Sequence, residues 1–121
     1  MKLPTTLPEV PELITSKRDE IAALCREYGV ARLELFGSIM TDEFDLQRSD
    51  IDFIVDYLPG ADLGVWLARY QDLRMSLAHL RDREVDLVMS DSGAMRNPFF
   101  RRVADPTRKV VFDARQSREA A

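Results

Sequence analysis

Apolar positions along this chain recur with two different periods, and the changes of period divide it into helices and strands. From Pro11 to Tyr28, Leu13, Ile21, Leu24, Cys25 and Tyr28 form one helical stripe, with Lys17, Arg18, Asp19 and Glu20 on the polar side. Gly29 suits the C′ position that ends such a helix. Arg32 to Phe36 then reads as a short strand that runs into Gly37-Ser38. Asp50 to Asp56 alternates strictly, which predicts a second strand with Ile51, Phe53 and Val55 facing a core. Tyr57-Leu58-Pro59-Gly60 is a turn by its Pro-Gly.

Leu63, Trp66, Leu67, Tyr70, Leu73, Leu77 and Leu80 recur at helical spacing, which predicts a helix capped by Asp62 and running to about Leu80. That stripe is the face expected to pack on a sheet, so Trp66 reads as core in preference to a base-stacking platform. Arg81-Asp82-Arg83 turns into a third strand, Glu84 to Met89. Ser90 to Arg96 is loop or weak helix. Asn97-Pro98 reads as N-cap and N1 of a short helix, Phe99 to Ala104. Asp105-Pro106-Thr107 turns into a last strand, Lys109 to Phe112. Met1 to Pro11, with three prolines, is an irregular arm, and the polar tail from Ala114 to Ala121 is expected to fray. Four strands among these helices predict an α/β or α+β fold: a small mixed sheet with helices packed on it.

Composition narrows the class. With 121 residues the chain reads as a single domain, residues 1–121. Hydrophobic residues at 45% and charged ones at 31% indicate a globular protein and exclude disorder as its main state. The net charge of −4 gives no general attraction to nucleic acid. A single cysteine excludes an internal disulfide, and Cys25 on the helical stripe reads as a small core residue. No apolar run reaches membrane-spanning length and no signal-peptide pattern opens the chain, so a cytoplasmic location is expected.

The candidate chemistry lies in the second strand. Asp50 and Asp52 share a face, with Cα atoms about 6.5–7 Å apart by strand rise. Carboxylates held side by side repel one another unless a cation sits between them, and hard cations take oxygen ligands. Gly37 permits a close backbone approach, and Ser38 can cap a helix whose free N–H groups would attract phosphate. Together these elements suggest a nucleoside triphosphate carried with Mg²⁺. Asp86 alternates with Val85 and Leu87 in the third strand, so it faces away from the core as Asp50 and Asp52 do. Asp42, Glu43 and Asp45 in the spacer read as solvated loop residues. Arg96, Arg101, Arg102, Arg108 and Lys109 make the last third locally basic: a solvated surface, or a contact for phosphates or an acidic partner.

Phe36-Gly37-Ser38, Ser49-Asp50-Ile51-Asp52-Phe53 and Val85-Asp86-Leu87-Val88 together resemble the minimal nucleotidyltransferases of the DNA polymerase β superfamily. The resemblance runs from about Ile21 to Phe112. It implies the palm-like nucleotidyltransferase fold, with Asp50, Asp52 and Asp86 as the metal-binding catalytic carboxylates and Gly37 and Ser38 at the nucleotide phosphates. Mg²⁺ or Mn²⁺ is the implied cofactor and ATP the implied substrate. Family members commonly carry Ala-Arg-Gly shortly after Gly-Ser, whereas this chain has Ile39-Met40-Thr41. Arg48, at the far end of the spacer, is the residue that could substitute for the missing arginine.

Minimal members of this kind are often antitoxins paired with a HEPN toxin, and are implied to attach AMP to a toxin tyrosine. A partner protein as acceptor suits a chain in which no acceptor-binding domain is visible. The rival is a non-catalytic antitoxin that neutralises its partner by steric cover; the Ile39-Met40-Thr41 departure favours it and the acidic triad disfavours it. Transfer to a small molecule or to RNA is weaker, because neither a second domain nor an overall basic charge is present. Arg74 and His79 make an R-x4-H like that of HEPN ribonucleases. Those enzymes need a helical bundle and a second copy of the motif, so a ribonuclease reading is rejected.

Overall fold

Alternating and helical periods become a four-stranded sheet with helices on both faces in the computed structural model, which describes residues 10–41 and 50–115. The first predicted helix is broken in two: α1 (Glu12–Thr15) and α2 (Arg18–Glu27) are separated at Ser16 and Lys17. Ile21 and Cys25, one turn apart on α2, are buried, and burial pushes the Cys25 thiol up to about 12. Gly29 follows α2 with φ +74°, the left-handed conformation expected at that position. β1 (Val30–Phe36) leads into a 3₁₀ turn, Gly37–Met40. β2 (Ile51–Tyr57), α3 (Ala68–Arg81), β3 (Val85–Met89), α4 (Gly93–Arg96), α5 (Pro98–Ala104) and β4 (Lys109–Asp113) complete the order. As expected from Asn97-Pro98, the Asn97 side chain accepts a hydrogen bond from the Phe99 amide at 2.9 Å and Pro98 opens α5.

The sheet order is β3-β2-β1-β4, with β2 and β3 parallel and the other two pairings antiparallel. Leu33, Leu35, Phe53, Val55, Val85 and Leu87 cover one face and meet Ile21, Cys25, Leu73 and Leu77 from α2 and α3. Each large side chain buried there contributes about 1.5–3 kcal/mol. Tyr70 of α3 donates its hydroxyl to the Leu87 carbonyl and ties the helix to the edge strand β3. The opposite face carries a smaller cluster of Phe36, Ile54, Met95 and Ala104, with Val88 and Phe100 packed against it. That cluster covers only part of its face: it reaches Phe36, the β1 neighbour of Asp52, and does not include Asp52 or Asp86.

The 63–67 stretch departs from the predicted helix. Gly64, Trp66 and Leu67 all have positive φ, at +81°, +56° and +60°, so the chain makes a left-handed turn before α3 begins at Ala68. Asp62 accepts from the Gly64 amide within that turn and does not cap α3. Trp66 is consequently 93% exposed, and the core placement predicted for it is corrected. The real stripe of α3 is Tyr70, Leu73, Leu77 and Leu80. The spacer residues Asp42, Glu43, Asp45 and Arg48 lie outside the described residues, as do most of the N-terminal arm and the C-terminal tail. Among the described residues, no helix is long and apolar enough to cross a membrane.

Candidate nucleotide and metal site

β2 owes its central place to the apolar residues on both of its faces, and its register decides what its first acidic residues meet. Asp52 pairs with Phe36 of β1 on one side and with Asp86 of β3 on the other. Because β2 and β3 run parallel, the two carboxylates leave the same sheet face as direct neighbours. Ile51 and Phe53 point the other way and are buried, as are Val85 and Leu87 flanking Asp86. Asp50 lies just before β2 and is exposed. The predicted polar strand face is therefore present at its start, while two residues further on Ile54 is buried under Met95 and Phe100.

Gly37 approaches this pair from β1. Its φ is +85°, and a Cβ added there would lie 2.6 Å from Asp52 Oδ2. Only glycine gives that backbone path and that clearance. The Gly37 amide donates to Thr107 Oγ1 at 2.8 Å, and Thr107 Oγ1 donates to the Ala104 carbonyl at 2.8 Å. The expectation of a Ser38-capped helix presenting free amides is corrected here. Ser38 lies within the 3₁₀ turn, whose flanking residue Phe36 makes no side-chain cap, and the Gly37 amide is already engaged. Ile39 and Met40, which follow Gly37-Ser38, are each only 6% exposed and pack into the core.

Electrostatics single out Asp52. Its pKa is raised to about 6, first by burial, then by the charges of Asp86 and Asp50, and by a side-chain hydrogen bond with Asp86. A carboxylate that its surroundings disfavour in the charged state gains most from a cation. The donor set is all carboxylate oxygen, which fits Mg²⁺ or Mn²⁺ and not a soft metal. Asp52 and Asp86 form the close pair. Among the described residues no compact group of three His, Cys, Asp or Glu side chains is assembled, so Asp50 stands at the rim of the pair.

The basic last third divides by role. Arg108 donates through Nε to Glu34 Oε1 at 2.8 Å and through Nη1 to Asp105 Oδ1 at 3.0 Å, so it is committed to the scaffold. Arg101 also reaches Asp105, at 3.3 Å, and Arg96 donates to the Asp91 carbonyl. Glu34, only 5% exposed, is further paired with Arg32 at 2.9 Å. Neither Glu34 nor Thr107 was singled out from the sequence. A lone acid inside the apolar run Leu33-Glu34-Leu35-Phe36 is the signal that could have marked Glu34. Thr107 gives no local signal, since its partner lies 70 residues away. His79 is exposed on α3, and Arg74 donates through Nε to Gln71 Oε1.

Comparison with known proteins agrees with this geometry. Residues 19–117 match the nucleotidyltransferase domain family. No curated protein matches the chain. Among solved structures, a toxin–antitoxin with AMP-PNP is 25% identical, with TM-score 0.58, covering 85% of this chain and 78% of that one. A tri-AMPylated HEPN toxin of Shewanella oneidensis in complex with its MNT antitoxin gives 25% identity and TM-score 0.54, covering 88% of this chain and 77% of that one. A protein described as a candidate minimal nucleotidyltransferase shares the fold at TM-score 0.60 and 23% identity, over 81% of this chain and 92% of its own. With the family matched over most of its length and the paired carboxylates in register beside a glycine turn, this chain belongs to the nucleotidyltransferase domain family.

Proposed function

We propose that this protein is the antitoxin of a toxin–antitoxin pair and acts by moving AMP from ATP to a tyrosine hydroxyl of a HEPN toxin. The observation that carries the reading is the in-register pair of Asp52 and Asp86 with Gly37 closed against it. Support for the partner comes from the toxin–antitoxin complexes that share the fold at 25% identity, one of which contains an AMPylated toxin and another an ATP analogue.

In this reading the acceptor oxygen attacks the α-phosphorus of ATP, the bond to the β-phosphate oxygen breaks, and pyrophosphate leaves. Asp52 and Asp86, with Asp50 at their rim, would hold a magnesium or manganese ion, which would supply positive charge to offset that on the attacking and leaving oxygens. Asp86, exposed beside Asp52, would draw the proton from the incoming hydroxyl. Asp52, partly buried beside Gly37 and Asp86, would orient the phosphates through the ion that it helps to hold. The missing side chain at Gly37 leaves room above Asp52 that any other residue would fill.

One observation favours the rival reading of a non-catalytic cover: Ile39 and Met40 are packed into the core and provide no cation for the triphosphate. Toxin neutralisation distinguishes the two. An enzyme protects at substoichiometric amounts with ATP and Mg²⁺, and Asp50→Asn or Asp52→Asn abolishes protection. If the Asn variants protect fully at equimolar concentration and wild type needs no ATP, the cover reading replaces the transferase.

A further inference from the structure

Thr107 has a commonplace local bond, from its hydroxyl to the carbonyl three residues back. What is not commonplace is the second use of the same oxygen, as acceptor for the amide of Gly37 from the far side of the chain. That amide belongs to the left-handed residue at which an added Cβ would lie 2.6 Å from Asp52 Oδ2. The hydroxyl thus joins the end of α5 to the turn that lies on the carboxylate pair.

The segment carrying Thr107 is itself braced. Thr107 closes the 3₁₀ turn Asp105–Thr107, between α5 and β4. Arg108, the next residue, holds Asp105 at one end and the buried Glu34 at the other. Arg101 of α5 holds Asp105 from a second direction. Glu34 lies on β1 only three residues before Gly37, so the strut is fixed to the same strand whose end it positions. Four charged residues and one hydroxyl therefore constrain the Gly37 peptide from outside its own loop.

We infer that Thr107 is a positioning residue for the transfer reaction: its hydroxyl, carried on the Glu34–Arg108–Asp105 strut, fixes the Gly37 turn against Asp52. The inference rests on the proposed transferase reading for its kinetic consequence, and on the hydrogen bonds alone for its structural one. Arg101 and Arg108 of the basic last third then serve the site through Thr107. Misplacing a positioned group by about 1 Å can cost about 100-fold in rate. Losing a constraint on Gly37 should therefore act on turnover more than on ATP affinity.

The test compares wild type with Thr107→Val, Thr107→Ala and Thr107→Ser. Two readouts are taken: AMP transfer to the toxin under saturating and limiting ATP, and amide exchange with the chemical shift of Gly37 by NMR without ligand. The expected result is a fall in kcat of about 10–100-fold for Val and Ala, with KM for ATP changed less than about threefold and Ser within about threefold of wild type. Exchange at the Gly37 amide should quicken in Val and Ala and recover in Ser, while core amides of β1 and β2 stay protected. Using Ala as well as Val covers the case in which one of them does not fold. If wild type transfers AMP and both variants keep its kcat, the positioning role is overturned and the transferase reading stands. If wild type transfers nothing, the transferase reading fails, and unchanged Gly37 exchange in Val and Ala would then overturn the strut as well.

Discussion

Asp52 and Asp86 face one another across the parallel β2–β3 pair, in direct register, on the face of the sheet that α2 and α3 leave open. Among the described residues, Arg32 and Arg108 are ion-paired with Glu34, and Arg108 also with Asp105. The charges of Asp86 and Asp50 disfavour a charged Asp52, an imbalance that a bound cation would relieve.

That imbalance has a pH signature. The pKa of Asp52 in the folded protein is about 6, above its ordinary 3.8, because burial and the neighbouring acids disfavour its charged form. The folded state therefore binds this proton more tightly than the unfolded chain does. The associated stability is fully present below 3.8 and is lost as pH rises through about 6. In EDTA, the melting temperature should fall over that window in wild type and not in Asp52→Asn. Mg²⁺ with ATP should flatten the fall by binding only the folded, charged site. Identical pH profiles for wild type and Asp52→Asn would show that Asp52 is not the strained group.

Gly37→Ala tests the close approach. The new methyl would lie 2.6 Å from Asp52 Oδ2, at φ +85°. The left-handed backbone alone costs about 1–2 kcal/mol. Binding of an ATP analogue with Mg²⁺, followed by calorimetry, should be lost or weakened by about tenfold or more, since Asp52 must move. Unchanged affinity in a folded Gly37→Ala protein would remove Gly37 from the site.

Arg108→Ala tests the strut. Glu34 is 5% exposed and, among the described residues, would keep the well exposed Arg32 as its ion-pair partner. Leaving a buried carboxylate half-paired should cost about 1–3 kcal/mol in urea denaturation. Replacing Arg32 should cost less, because its side chain is 44% exposed and its ion pair is more strongly screened by water. A larger loss for Arg32 than for Arg108 would reverse the assignment of the main partner.

Trp66 is the sole tryptophan, so its fluorescence reports one site. At 93% exposure it should emit like an indole in water and be quenched freely by acrylamide. Trp66→Ala should change stability by no more than about 0.5 kcal/mol. A blue-shifted, protected emission would return Trp66 to the core that its spacing alone suggests.

The contrast between Trp66 and Asp86 shows where sequence reasoning holds. Strand alternation is a strict constraint, since a slip of one residue would bury Asp52 and expose Phe53. The faces of Asp52 and Asp86 could therefore be read from their neighbours. Helical spacing is looser. Leu63, Trp66 and Leu67 match the stripe of α3, but Gly64 permits a left-handed turn, and the helix begins only at Ala68. The Asn97 cap was legible because its bond partner is two residues away. The Gly37–Thr107 bond was not, because strand order had first to bring β1 beside β4. Ser38 misled for the same reason: its dipeptide suits a cap, yet tertiary contacts of Ile39 and Met40 pull the turn into the core.

The central claim is chemical, and mass spectrometry of the toxin partner tests it most directly. The intact toxin is incubated with ATP, Mg²⁺ and this protein, either wild type or Asp52→Asn, and peptide fragmentation locates any added group. The expected result is AMP on a toxin tyrosine with wild type, pyrophosphate released in equal amount, and neither with Asp52→Asn although that variant remains folded. An unmodified toxin that wild type nevertheless silences, with no pyrophosphate formed, would contradict the account and leave the carboxylate pair without a role in transfer.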